Sequence, residues 1–171
     1  NPIQQKENIM EAFFKFLKEN QITYTRHDHP AVYTVEEADR LVPELSAAKT
    51  KNLFLRDDKG RRHFLVVIPG HKQVDLKTLK DRMGIKRISF GSPERLKKHL
   101  GIEPGAVSIL ALYNDKVLAV ELFMDQELWT SESFQCHPLV NTATLEITRD
   151  NLIRFLEITG HEMKLIDVPG R

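Results

Sequence analysis

The sequence predicts a mixed α/β (α+β) domain, and three observations predict it. Its 171 residues match one ordinary domain, whereas two independent cores would each be undersized. Helix caps and helix stops bracket several short amphipathic segments. Between those segments lie apolar runs of strand length, interspersed with the helices but without the strict alternation of a doubly wound sheet. Hydrophobic residues make up 41% and charged residues 29%, enough for a core and for solubility, which excludes a disordered chain. No internal repeat, linker or low-complexity segment interrupts the sequence, so residues 1–171 are expected to form a single domain.

In chain order, Ile9, Met10, Phe13, Phe14, Phe16 and Leu17 recur at steps of three and four and predict an amphipathic first helix. Thr34 with Glu37 forms a capping box, opening a short helix through about Val42. Lys51–Arg56 and Arg62–Ile68 flank the polar Asp57-Asp58-Lys59-Gly60 and predict a β-hairpin. Asp75 caps a helix ending near Gly84. Ser92-Pro93-Glu94 supplies a cap, a first-turn proline and an early acid for another, ending near Gly101. Ala106–Leu112 and Val117–Met124, joined at Asn114-Asp115, are expected as buried strands. A strand near Leu145–Thr148, a helix around Leu152–Leu156 stopped by Gly160, and a last strand over Met163–Val168 complete the order.

One cysteine, Cys136, cannot form an intramolecular disulfide, so a cytoplasmic location is expected. No apolar run approaches the roughly 18 residues of a membrane span, and Lys6, Glu7, Glu11, Lys15, Lys18 and Glu19 interrupt any signal-peptide core, so no membrane partner is expected. A first residue other than Met leaves room for N-terminal trimming.

The 25 Lys+Arg and 24 Asp+Glu give a net charge of +1, which alone suggests no polyanionic partner. The distribution differs from the total. Lys72–His99 carries nine basic residues and three acidic ones, residues 100–171 are at −6, and residues 1–71 are at +1. Cations on adjacent helical segments, among them Lys77, Lys80, Arg95, Lys97 and Lys98, suit backbone phosphates; they equally suit a solvated helical surface.

The standard catalytic signatures are absent: no Gly-rich phosphate loop, no dinucleotide fingerprint, no His-Glu-x-x-His. His27 and His29 would share a strand face, a turn or surface role being favoured over a metal site, which needs a third convergent ligand that a sequence does not show. Cys136-His137 resembles a nucleophile beside its base, but neighbours on an extended chain point to opposite faces. Pro138 biases His137 toward extended backbone, which suits a defined orientation at a pocket edge or, more commonly for a lone histidine, a structural role. Lys51, opening an apolar strand, is placed for an anion or a carbonyl at a cleft rim, or simply for solvent. Gly105, between Pro104 and the next apolar run, permits either a close approach to a ligand or a left-handed turn.

Thr50-Lys51-Asn52-Leu53-Phe54-Leu55, Phe64-Leu65-Val66-Val67-Ile68-Pro69-Gly70, Ile88-Ser89-Phe90-Gly91-Ser92, Gly105-Ala106-Val107-Ser108 and His137-Pro138-Leu139-Val140-Asn141-Thr142-Ala143-Thr144, in this order, resemble the YbaK/prolyl-tRNA synthetase editing-domain superfamily, and within it the free-standing ProX-type deacylases. The resemblance covers nearly the whole chain. It implies a mixed, barrel-like sheet flanked by helices and hydrolysis of the ester on mischarged proline tRNA carrying a small wrong amino acid such as alanine or 2-aminobutyrate. Mischarged proline tRNA is the implied partner, with prolyl-tRNA synthetase as a second, and no DNA, metal or cofactor.

By the same resemblance Lys51 holds the terminal nucleotide and its phosphate, Gly105 heads a loop whose backbone N–H groups bind the ester carbonyl, and His137 borders an amino-acid pocket shared with Ala106, Ser108 and Ile109. The substrate's own 2′-hydroxyl helps activate water, which accounts for the missing signatures. One position departs from the pattern: Ile109 stands where the family loop carries proline, so altered amino-acid selectivity is expected. A non-catalytic tRNA-binding or regulatory module, and a small-molecule-binding protein using the same pocket, remain as alternatives.

Overall fold

The computed structural model describes residues 1–42 and 44–171, and Val35 by its backbone. Helix α1 (Pro2–Glu19) starts where the Asn1 side chain accepts from Ile3 N, and it buries Phe13 and Leu17. Strand β1 (Thr25–Asp28) and helix α2 (Val35–Leu41) follow, the Thr34 hydroxyl accepting from Glu37 N as the capping box predicts. The hairpin is β2 (Thr50–Asp57) and β3 (His63–Pro69). Asp57 closes it, its carboxylate accepting from Arg61 N and Arg62 N.

Asp75 caps α3 (Leu76–Met83), and after β4 (Ile88–Phe90) Ser92 caps α4 (Pro93–Leu100). Both helices stop at a glycine with positive φ, Gly84 and Gly101, as the sequence predicts. Strand β5 (Val120–Asp125), the short helix α5 (Gln126–Trp129), β6 (Ser133–Cys136), β7 (Ala143–Thr148), α6 (Arg149–Thr159) and β8 (Met163–Ile166) complete the chain.

The class is mixed α/β, as expected, with the strands in two sheets flanked by helices. The first has order β1-β7-β6 and is antiparallel; the second, β4-β2-β3-β5-β8, is antiparallel over β4-β2-β3 and parallel over β3-β5-β8. An isolated bridge between Ala48 and Phe134 joins them. Every residue of β3 is buried because both sheet faces are covered. Leu65 and Val67 enter the larger core with Phe13, Leu17, Leu100 and Phe155, while Phe64, Val66 and Ile68 pack on the opposite face with Leu79 of α3. Among the described residues no helix is long and apolar enough to cross a membrane.

The expected strand over Ala106–Leu112 is not one. Pro104–Ala106 and Ile109–Asn114 are 3-10 turns, the second started by the Ser108 hydroxyl accepting from Leu110 N. A fully buried apolar run has the same composition in either conformation, and the polar cap decides. Ile109 is the first residue of that turn, after an extended Ser108 at φ −156° and ψ 147°, a place whose backbone also suits proline; isoleucine contributes core packing there instead. The following strand begins at Val120, not Val117, because the Asp115 carboxylate accepts from Ala119 N and Val120 N and leaves Val117 and Leu118 exposed in a turn. Strands β1, β4 and β6 and helix α5 are three or four residues each, too short for a periodic signal.

Candidate active site

A cleft of about 440 Å³ opens where the two sheets meet. The start of β2, the end of β6 and the start of β7 line it, with the loop at 104–107 and α2 on its other sides. Backbone bonds fix the seam: Ala48 N donates to the Ser133 carbonyl and Gln135 N to the Ala48 carbonyl, each at 2.9 Å. The Thr50 hydroxyl adds a bond to the Gln135 carbonyl at 2.6 Å.

Lys51, Gly105 and His137, far apart in the sequence, line this one cleft. Lys51 lies opposite Ile68 in the β2–β3 ladder and is half-buried. Of the cleft's two lysines, Lys49 pairs with Asp39 of α2, whereas Lys51 makes no ion pair among the described residues. Gly105 has no positive φ, so it makes no left-handed turn, and what approaches it closely is protein. A Cβ there would lie 3.0 Å from two carbons of the Tyr33 ring and 3.1 Å from Asn141 Nδ2.

His137 follows β6. Its Nδ1 lies 3.0 Å from the Ala143 carbonyl, which can only accept, so Nδ1 carries the proton and Nε2 is left as an acceptor. Burial holds its pKa below the ordinary imidazole value; the bond to Ala143 opposes this, and His29, 6.4 Å away ring to ring, adds to it. His137 is therefore neutral at pH 7. His29 is held by the Pro30 carbonyl and the Thr144 hydroxyl, both at 2.8 Å, and His27 by Glu146 at 2.9 Å. The two share no ligand set, and among the described residues no three His, Cys, Asp or Glu side chains gather as a metal site would require. Cys136 also lines the cleft, but burial pushes its thiol up to about 12, which removes it as a thiolate nucleophile at neutral pH.

Ala106, Ser108 and Ile109 do not line the cleft. All three are buried, Ala106 and Ile109 in the core cluster, and Val107 is the loop's other cleft residue beside Pro104 and Gly105. The Ala106 N–H is donated to the Glu103 carbonyl at 2.9 Å. Of the basic candidates, Lys77 and Lys80 lie on α3 and Arg95, Lys97 and Lys98 on α4; none lines the cleft. Arg95 turns inward, its guanidinium donating to the Gly60 carbonyl and to His63 Nε2 at 3.0 Å each. The sequence reading missed Tyr33, Asp39, Lys49, Gln135 and Thr144 on the cleft, because loop placement and cross-sheet neighbours leave no local pattern.

Residues 29–155 match the model of the aminoacyl-tRNA editing domain, and the chain belongs to that family. It is 38% identical over 158 residues, 92% of this chain and 96% of the relative, to the prolyl-tRNA editing protein ProX of Acetoanaerobium sticklandii. It is 40% identical over 149 residues, 86% of this chain and 80% of the relative, to the prolyl-tRNA synthetase associated domain-containing protein 1 of Danio rerio. A solved structure of a candidate trans-editing enzyme for prolyl tRNA synthetase superposes with a TM-score of 0.70, covering 95% of this chain and 98% of that one at 16% identity, a likeness of fold alone. Membership of the family implies aminoacyl-tRNA editing.

Proposed function

We propose that the chain is a deacylase that hydrolyses the ester of mischarged proline tRNA carrying a small wrong amino acid, alanine or 2-aminobutyrate first. The observation that carries this reading is the meeting of Lys51, Gly105 and His137 on one cleft, in a chain that is similar along nearly its whole length to a prolyl-tRNA editing protein. Lys51 supplies a positive charge for the phosphate of the terminal nucleotide. The backbone at Gly105 and Val107 receives the ester carbonyl; the Ala106 N–H, already committed to Glu103, does not. Neutral His137 bounds the space for the amino-acid side chain. The cleft offers no activated thiol; by the family resemblance the substrate's own 2′-hydroxyl helps activate the attacking water, and rate comes from orientation and fixed dipoles.

Purified protein offered alanyl-, 2-aminobutyryl-, seryl- and prolyl-tRNA of the proline isoacceptor is expected to release one or more of the wrong amino acids and to spare Pro-tRNA. Release from none overturns the reading. Lys51→Ala is expected to lower kcat/KM by at least about tenfold, roughly 1.4 kcal/mol of transition-state stabilisation. Turnover near the unsubstituted protein would remove Lys51 from that role.

A further inference from the structure

Away from the cleft, the outward face of α6 has the same chemistry read from either end. Across its two middle turns the exposed side chains are Ile153, Arg154, Glu157 and Ile158, spaced to share one face and ordered apolar, basic, acidic, apolar. Arg154 donates only to neutral groups, the Asn20 carbonyl and the Gln21 side chain, and Glu157 pairs with no cation among the described residues. Scattered apolar side chains on a surface helix need no explanation. A stripe that a half-turn rotation matches to itself, apolar on apolar and acid on base, points to a like helix as its occupant.

The two ends of α6 carry a second matched pair. At the C-terminal end Gly160 meets a knob made of Val117 and Leu118, since a Cβ on Gly160 would lie 3.7 Å from Leu118 Cδ2. Val117 is 84% and Leu118 52% exposed, and Leu118 holds a φ of 56°, a left-handed conformation that suits asparagine or glycine and is costly for leucine. The turn is nonetheless firm: the Asp115 carboxylate accepts from Ala119 N and Val120 N, and from buried His161 Nε2 at 2.8 Å. At the N-terminal end Asn151 donates to the Thr23 hydroxyl at 3.0 Å, beside a groove of about 520 Å³. Phe14, Ile22 and Tyr24 give the groove its apolar wall, and exposed Lys15 and Lys18 rim it.

We propose that the chain forms a two-fold symmetric dimer through this face, α6 packing antiparallel against α6 of a second copy. An axis passing between Phe155 and Leu156 sets Ile153 against Ile158 of the second copy and Arg154 against its Glu157, each contact being made twice. The same rotation carries the C-terminal end of one α6 to the N-terminal end of the other, so each knob enters the other copy's groove. There Glu162, exposed just beyond Gly160, meets the Lys15 and Lys18 rim, while Lys116, the knob's own cation, lies over the Tyr113 ring at 4.1 Å. The 11 residues of α6, about 16 Å of helix, bury too little alone for a specific dimer, and the knob and groove at each end extend the contact.

Sedimentation of the unsubstituted protein from about 1 to about 100 μM is expected to show a shift from monomer to dimer, the span over which a micromolar Kd is read directly. Glu157→Arg sets arginine against arginine twice, and Arg154→Glu sets acid against acid twice; each is expected to weaken self-association at least about tenfold. An equimolar mixture of the two variants is expected to dimerise again, because only the mixed pair opposes unlike charges at both places. Leu118→Asn, which tolerates the left-handed backbone, is expected to weaken the dimer while the Tm of the dilute monomer holds or rises. A Leu118 that serves only the fold would lower that Tm and leave association unchanged. A monomer throughout the range, a dimer indifferent to Glu157→Arg, or a mixture that stays monomeric overturns the proposal.

Discussion

At Gly105 the requirement for glycine is spatial, not conformational: its φ is ordinary, and what forbids a side chain is the Tyr33 ring and Asn141 on the space a Cβ would take. The two causes predict different outcomes. A glycine needed for positive φ destabilises the fold when replaced, as at Gly84, Gly101 or Gly160. Gly105→Ala instead has to displace a neighbour by a few tenths of an ångström, and exposed Tyr33 yields more cheaply than a core residue would. The expected result is a Tm within about 2 °C of the unsubstituted protein, a cost below ~1 kcal/mol, together with a drop in kcat/KM of about tenfold or more as the carbonyl seat and the aromatic face shift together. A large fall in Tm with normal turnover would contradict a purely spatial requirement. His137 shows the same dependence on neighbours, since its tautomer is set by the Ala143 carbonyl and not by its own sequence context.

Elements are legible where local chemistry closes them. The capped helices, the hairpin and the glycine stops follow from side chains that satisfy backbone groups a few residues away. The Ala106–Leu112 run reads wrongly as a strand because burial on all sides erases periodicity, and β1, β4 and β6 exist only through partners distant in sequence. Likewise Lys51, Gly105 and His137 can be singled out one by one, but their meeting depends on the seam between the sheets. The docking of α4 on the hairpin is another long-range feature. His63 of β3, 4% exposed, stacks on Phe54 and lies 4.1 Å ring to ring from His99 of α4, and its Nε2 accepts from Arg95. Burial, then the neighbouring His99 and Arg95, lower its pKa from 6.5 to about 4. A depressed imidazole pKa means that the fold favours the neutral ring. That stability is complete above the unfolded value near 6.5 and is lost as pH falls from there toward 4, where protonation would set N–H against N–H at Arg95. Urea unfolding is expected to show a loss on the order of 1–2 kcal/mol between pH 7 and pH 5, and His63→Gln, which keeps an acceptor for Arg95 but cannot titrate, to flatten it. The same pH dependence in both proteins would reject His63 as its source.

Across the whole molecule the net charge of +1 conceals a basic tract on α3, β4 and α4, and the structure shows how much of that tract is already spent. Lys72 sits in a half-buried cluster with Asp125 and Glu127 at 2.7 Å, Arg82 pairs with Asp167, Lys80 with Asp81, and Arg95 is turned inward. Lys97 pairs with Glu103 at 3.4 Å, but both side chains are exposed, and such a pair gives way to a stronger polyanion at little cost. Lys98 is exposed on the same helix, and α4 runs by Gly101 into the segment that carries Gly105 to the cleft. A tRNA whose 3′ end enters the cleft would therefore meet α4 with its acceptor stem. Every phosphate that a lysine no longer neutralises reduces the slope of log K against log salt by about 0.7–0.9, so Lys97→Glu with Lys98→Glu is expected to weaken proline-tRNA binding and to make that slope shallower by about 1.4–1.8. The affinity of 3′-alanylamino-3′-deoxyadenosine 5′-phosphate, an amide analogue that cannot be deacylated and reaches only the cleft, should stay unchanged. Two readouts on one variant separate the surface from the site: a shallower slope with intact analogue binding places the acceptor stem on α4, and an unchanged slope returns its lysines to the solvent.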